Sequence, residues 1–391
     1  MTGASLAALA PAPATRGAAG PLRALVLADM AALDAAGPAW RALESRAAAQ
    51  CLFQSHAHTM IWARNYLVGS GTALHVVMLY DGDDLGLVLP LCITTTMGVR
   101  IARVTGYPIA QYADALADRP ADASCFAAIV QSLRDARVDA VALDGIRADS
   151  TLHRLVAARG LKPGNARVAP FVDLARFPDH DSFVRERSRG LGKKLRARRR
   201  QLEGNGELRF DILSGGLPAR QALAGGLHLK REWLIQRGAM STTFLDPAAN
   251  ACLLDLAEHV PGALVFQLRL NGATAAIRLG FEHRGTFFSY LSAYEESLAQ
   301  YSPGKLLMNL TLASVRTRGG AMVDLFPPAS ENKAIWCDRD IAVADYVLAL
   351  TLKGRVHAVL FQQKLRPLLR WGYYRLPDAV RQTFARRLLR R

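Results

Sequence analysis

The stretch Tyr301–Phe326 reads YSPGKLLMNLTLASVRTRGGAMVDLF, a tight turn at Ser302-Pro303-Gly304-Lys305 that opens an apolar helix. A helix start carries N–H groups without intrahelical partners and a partial positive charge, so it favours phosphate. Pro303 sets the turn, Gly304 lets a ligand approach the backbone, and Lys305 adds a full charge. Leu306, Leu307, Leu310 and Ala313, with Met308, Leu312 and Val315, are placed to bury the helix and hold its mouth rigid. The turn is thus either a phosphate-binding device or simply a helix start. A P-loop is excluded, because GxxxxGK[ST] is absent.

Other residues could handle protons. His228 sits in an apolar-aromatic helix with Glu232 four positions on, on the same face; the pair is either an oriented base or a surface histidine with a neighbour. Asp324 ends a short strand and is either a base or an ion-pair partner for Lys333 or Arg237. Lys333 could neutralise a phosphate or serve as a plain loop lysine. Tyr290 and Tyr294 precede the turn, where a tyrosine either protonates a leaving group or packs in the core. No GxSxG elbow or Cys/His signature offers a covalent nucleophile.

The elements that must position these groups come from a chain of 391 residues, 51% hydrophobic and 21% charged, which suits two globular domains. Five cysteines, at 51, 92, 125, 252 and 337, lack CxxC or metal-ligand spacing, so reduced thiols and no metal are expected. Residues 1–20 lack a basic n-region and are broken by Pro11 and Pro13, which predicts a disordered leader and a cytoplasmic protein. Ile341–Phe361 is the best membrane-span candidate and is spoiled by Asp345, Lys353 and Arg355. The net charge of +16 is concentrated: Arg185–Arg200 and Lys364–Arg391 each hold nine basic residues and one acid. Two local patches of this kind imply an anionic partner: phosphate, nucleic acid or an acidic membrane surface.

Strands are predicted at Ala73–Tyr80 and Leu85–Leu91 around Asp81-Gly82-Asp83-Asp84, then a helix at Ala123–Ala136 and a strand at Ala140–Leu143 before Asp144. The order recurs: strands Ala263–Leu270 and Thr274–Phe281 flank Asn271-Gly272, followed by strand Thr286–Ser292, the helix from Pro303, and strand Ala321–Leu325. Asp144 and Asp324 lie 180 positions apart, as two copies of one α/β unit require. Between the copies, Phe183, Leu191, Leu195 and Leu202 make one helical stripe over 181–206. This basic helix is either a solvated link or an arm that grips an anionic substrate. At the far end, Val380, Phe384, Leu388 and Leu389 share one side of a helix with arginines elsewhere, fit to dock on the domain, to lie on an anionic membrane, or to bind single-stranded nucleic acid.

From about Val172 to Pro377 the chain resembles the CelD/BcsL-like branch of the GNAT acyltransferases, with BioF2-like acetyltransferase domains, related to the FemAB peptidoglycan transferases. The resemblance rests on Lys193-Lys194-Leu195-Arg196, His228–Trp233 before Arg237-Gly238, Leu268–Ile277, Tyr290, Ser302–Leu307, and Asp324 with Lys333 and Trp336. Phe53-Gln54-Ser55 and Trp62 resemble the family's N-terminal half. It implies a tandem GNAT fold of mixed α/β sheets: a GNAT-like domain at 21–175, the basic helix at 176–210, a GNAT domain at 211–360 and a basic tail at 361–391. It also implies acyl-CoA, acetyl-CoA above all, as co-substrate, and transfer to an amine or hydroxyl. Gln300, Ser302, Gly304 and Lys305 would then cradle the CoA pyrophosphate, although QYSPGK departs from the usual glycine spacing. Asp324, His228 and Tyr290 become the catalytic candidates, and Trp233, Arg237, Lys333, Lys193, Lys194 and Arg196 the substrate-binding ones. The expected acceptor is a small molecule or saccharide from envelope or exopolysaccharide (cellulose) biosynthesis. The tail would touch an anionic inner membrane, and no DNA partner is expected. Two alternatives stay open: a FemAB-type transferase fed by aminoacyl-tRNA, and a non-catalytic scaffold at a membrane-bound synthase.

Overall fold

The computed structural model describes residues 22–47, 52–188, 190–358 and 366–389. The expected leader, Cys51 and the start of the basic tail at 361–365 lie outside them. The first half runs β1 (Arg23–Leu27), α1 (Met30–Ala35), α2 (Gly37–Arg46), α3 (His56–Tyr66), β2 (Ala73–Asp81), β3 (Asp84–Thr96), β4 (Val99–Val104), β5 (Leu116–Ala117), α4 (Ala123–Asp135), β6 (Ala140–Arg147), α5 (Thr151–Ala157) and β7 (Ala166–Asp173). Helices α6 (His180–Arg187) and α7 (Leu191–Glu203) follow. The second half runs β8 (Leu208–Ser214), α8 (Gly216–Gln236), α9 (Thr242–Leu245), α10 (Pro247–His259), β9 (Ala263–Leu270), β10 (Ala273–His283), β11 (Thr286–Tyr294), α11 (Pro303–Thr317), β12 (Met322–Asp324), α12 (Glu331–Ala334) and β13 (Arg339–Ala349). Three helices close the chain: α13 (Leu352–His357), α14 (Arg366–Arg375) and α15 (Asp378–Leu389).

All strands join one sheet of 13, in the order β1-β2-β3-β4-β6-β13-β7-β12-β11-β10-β9-β8, with β5 set against β3. From either edge inward the pattern is the same: four antiparallel strands, a parallel step (β4 to β6, β11 to β12), then the centre. The centre is an exchange. Strand β7 of the first half pairs with β12 of the second, β13 of the second pairs with β6 of the first, and β7 and β13 pair with each other. Separating the halves would break three strand pairings, so the duplicated α/β architecture is built as one sheet.

Local chemistry explains the hairpins. Asn271 and Gly272 take φ of 52° and 80°, the two left-handed positions that a two-residue hairpin turn requires. Strand β4 (VRIARV) is the first-half counterpart of β11 and goes unpredicted, because it is short and its arginines, Arg100 and Arg103, break the apolar run. The single basic helix expected over 181–206 is two helices, since Gly190 takes φ 84° at the cap of α7 and breaks the register. Its apolar stripe is real all the same: Phe183, Leu191, Leu195 and Leu202 are all buried, in one cluster with Leu306 and Leu312 of α11. The pair α6–α7 is therefore docked on the second half by its apolar stripe, with the basic faces left to solvent. The other layer is α8 and α10, with α3 reaching across from the first half. At Gly226 a Cβ would lie 2.6 Å from Cγ2 of Ile277, so α8 meets β10 at a distance only glycine allows.

Candidate active site

Strands β11 and β12 stay paired only from Thr286–Met322 to Phe288–Asp324. There β12 stops while β11 continues to Tyr294, so the sheet opens along one edge of β11. A cavity of about 670 Å³ fills the opening, a volume ordinary for a cofactor-sized ligand. Consecutive residues Ser289, Tyr290, Leu291 and Ser292 all line it. Because neighbours on a strand face opposite sides, the cavity passes through the sheet and is not confined to one face.

Helix α11 points its N-terminus into this opening, with Ser302, Pro303, Gly304 and Lys305 on the wall. Ser302 adopts φ 53° and makes no side-chain cap hydrogen bond, and the first turn carries no acid. Pro303 has no N–H, so Gly304 supplies the first donor. Leu306, Leu307, Met308, Leu312 and Val315 are each at most 3% exposed. Burial of that kind contributes roughly 1.5–3 kcal/mol per side chain and keeps the helix mouth from yielding. The N–H groups of Lys305 and Leu306 turn back to Ser302 O, so the helix dipole, the Gly304 N–H and the Lys305 side chain are what the mouth offers a ligand.

Three more cations line the cavity, and no aspartate or glutamate does so among the described residues. Lys230 of α8 lies 3.9 Å above the Trp233 ring; burial, then the charges of Arg237 and Lys333, push its amine down to about 8. Burial also pushes Lys333 down to about 8, while its Nζ donates to the carbonyls of Phe326 and Pro328 at 2.8 Å. Arg278 of β10 is buried, donates to Ser289 Oγ at 2.5 Å, and has no partner for Nε among the described residues. Burial alone holds it down near 10. A cluster of like charges in a low-dielectric wall is unfavourable until an anion enters.

The rim is set by a strained residue. Phe326 takes φ 58°, which bulky side chains rarely adopt. Its N–H donates to Asp324 Oδ1 at 2.8 Å, and its ring packs 5.1 Å from Tyr112 and 5.7 Å from Phe53, both from the first half.

Part of the chain that forms this site is similar to a known family. Residues 189–334 match the family described as acetyltransferase (GNAT) domain. Those residues, a little over a third of the chain, are similar to that domain. No curated protein matches the chain. Among solved structures, FemX aligns with a TM-score of 0.58 at 10% identity, over 84% of this chain and 98% of its own. L-PGS from Bacillus licheniformis aligns with a TM-score of 0.51 at 12% identity, over 84% of this chain and 95% of that one. At such identities the likeness is one of fold alone.

The cavity gathers Tyr290, Ser302, Gly304, Lys305, Trp233 and Lys333 from the residues singled out in the sequence. Others fall elsewhere. Asp324 is 3% exposed and accepts from Arg147 at 2.5 Å, Tyr112 at 2.9 Å and the Phe326 N–H, so its lone pairs are taken and it cannot serve as a base. Burial pushes its carboxyl up, against the pull of Arg147. His228 lines a separate groove with Arg231, Asn250, Leu388 and Leu389, which puts it outside the cavity. Tyr290 reaches the wall, but its hydroxyl donates to Ile109 O at 2.8 Å, and burial drives its pKa up. Gln300 is exposed in the turn before α11 and does not line the cavity. Arg237 stacks 4.5 Å over Trp233 and pairs with Glu296 at 3.4 Å. Lys193, Lys194 and Arg196 lie exposed on α7, which packs against α11 and the 296–301 turn.

Sequence reasoning passed over Arg278, Lys230 and Gln111. Arg278 had a signal: an arginine inside the apolar run TAAIRLGF has no place on a strand buried on both faces unless something needs its charge. Gln111 comes from the first half and had none, because only the fold brings it to the wall.

Proposed function

We propose that the protein is an acyltransferase that moves an acyl group, acetyl in the first instance, from acyl-CoA to an amine or hydroxyl of a polar acceptor. One observation carries this: the uncapped N-terminus of α11, with Lys305, opens into a cavity whose charged residues are all cations. A diphosphate-bearing donor suits that mouth, and the unpaired edge of β11 beyond Phe288 suits an extended amide-bearing arm running inward. Lys230, Lys333 and Arg278 supply positive charge further in. The acceptor's nitrogen or oxygen attacks the thioester carbon, the new C–N or C–O bond forms, and the C–S bond breaks. The acceptor's proton is released and the leaving thiolate is protonated. With Asp324 and His228 both away from the cavity, Lys230 and Lys333 are the wall residues lowered to about 8, and because Lys333 Nζ is engaged by two carbonyls, Lys230 is the one assigned to take that proton. Resemblance to the CelD/BcsL-like branch supports an envelope or exopolysaccharide building block, including one of cellulose synthesis, as acceptor.

Calorimetric titration of acetyl-CoA into the wild type and into a Gly304→Glu/Lys305→Glu variant tests the reading. Binding by the wild type and at least tenfold weaker binding by the variant are expected. A wild type that does not bind overturns the donor assignment.

A second reading, an aminoacyl-tRNA-dependent transferase, is favoured by the placement of α7. Its exposed Lys193, Lys194, Arg196 and Arg198–Arg200 lie on a helix that packs against the turn leading into Ser302. Retention of bulk tRNA in a gel shift at low salt, lost steeply as salt rises, is its signature.

A further inference from the structure

Helix α15 is held to the second half by one face, and α14 by a hydrogen bond from Tyr373. On α15, Ala385 and Leu389 are buried against α8, and Gln382 Nε2 donates to Gln236 O at 2.8 Å. On α14, the Tyr373 hydroxyl donates to Gly238 O at 3.0 Å. The contact is close, since a Cβ on Gly238 would lie 2.6 Å from Cβ of Arg381. The sequence pattern placed Val380, Phe384, Leu388 and Leu389 on one docking side, but only Leu389 is buried. Val380 and Phe384, spaced four apart, face outward, and Phe384 is 51% exposed, whereas Leu388 borders the groove that His228 lines. Leu368, Leu369 and Trp371 on α14 are 60%, 62% and 55% exposed.

Five large apolar side chains on the outer sides of the two helices serve no packing within the fold. Their surroundings are cationic. Arg366–Leu389 contains six arginines and one acid, Asp378, which is paired with Arg381. Arg375 stacks 3.8 Å over Trp371, and Arg386 and Arg387 are exposed beside Phe384 and Leu388. A second copy of this face would set arginines against arginines. A nucleic-acid strand would leave Leu368, Leu369 and Val380 without a role. An anionic bilayer surface satisfies both chemistries, with acyl chains for the apolar side chains and headgroup phosphates for the arginines.

We infer that α14 and α15 form an interfacial platform that seats the protein on an anionic membrane. The platform is attached to α8, whose Lys230 and Trp233 line the cavity, so docking would fix the orientation of the active site relative to the membrane. No helix among the described residues is long and apolar enough to cross a bilayer, so the contact is peripheral.

The test is flotation of the full chain with vesicles of phosphatidylcholine alone or with phosphatidylglycerol added. Two variants on separate helices, Trp371→Glu and Phe384→Glu, are compared with Val68→Glu, an exposed control. Wild type and control should float with the anionic vesicles and not with the neutral ones, while each platform variant loses at least tenfold. Retained acetyl-CoA binding by the variants shows that their cavity is intact and separates this outcome from failure of the donor assignment. Three results overturn the inference: wild type that does not float, variants that float as wild type does, or a concentration-dependent dimer broken by the variants without vesicle binding.

Discussion

Arg147 and Asp324 end two strands, β6 and β12, that hold equivalent places in the two halves, and Nη1 of the first lies 2.5 Å from Oδ2 of the second. Their side chains are 11% and 4% exposed, and the Tyr112 hydroxyl and the Phe326 N–H complete the carboxylate's partners. The pair bridges the halves beside the strand exchange, and through Phe326 it sets the rim of the cavity. Asp324 is thus a positioning residue.

Removing one member leaves the other charged and buried. Arg147→Met is expected to cost about 3–5 kcal/mol in urea unfolding, whereas the double variant Arg147→Met/Asp324→Leu should recover most of that loss. A single variant within about 0.5 kcal/mol of wild type would show that the pair is not insulated from water.

Arg278 should behave in the opposite way. Its Nε lacks a partner among the described residues, and only burial moves its pKa, so Arg278→Met removes a cost. Thermal unfolding should be unchanged or higher, while acetyl-CoA affinity falls roughly tenfold, the scale of a lost charge-assisted hydrogen bond. Unchanged affinity would place the donor away from β10.

Lys230 and Lys333 give a pH dependence of definite sign. With both amines lowered from 10.5 to about 8, the folded protein carries their charges below that pH and loses them above it. Acetyl-CoA should bind more weakly at pH 9.5 than at pH 7, by roughly tenfold or more. Stability should move the other way. Between about 8 and 10.5 the unfolded chain binds more protons, so the contribution of these two residues to folding rises with pH. Calorimetry and urea titrations at the two pH values check both, with Lys230→Met/Lys333→Met as the flat reference.

Gly226 tests the closeness of α8 to the sheet. Gly226→Val forces a side chain onto Ile277 and should cost about 1–3 kcal/mol. It should also displace Lys230 and Trp233, one and two turns further along the helix, and so weaken donor binding. Wild-type stability would mean that the helix shifts freely.

Much of the architecture was legible because it is local. The turns at Gly82 and Asn271-Gly272, the apolar stripe of α11 and the repeated order of hairpin, helix and strand follow from periodicity and turn chemistry, which act over a few residues, although β6 runs past the expected end at Asp144 to Arg147. So did the anion-favouring start at Ser302–Lys305, since a helix terminus creates its own field.

The rest depended on contacts between residues far apart in the chain. Nothing near Asp324 reveals that Arg147 and Tyr112, 177 and 212 positions away, occupy its oxygens and turn an apparent base into a brace. Nothing near His228 shows that it faces a groove with Leu388 and not the cavity. The exchange of β7 and β13 decided both what the sheet's centre joins and which first-half residues, Gln111 among them, reach the site. Short-range spacing determines which side chains share a face. Only the packed chain determines what that face meets, because burial and partner charge are properties of the neighbours that folding brings in.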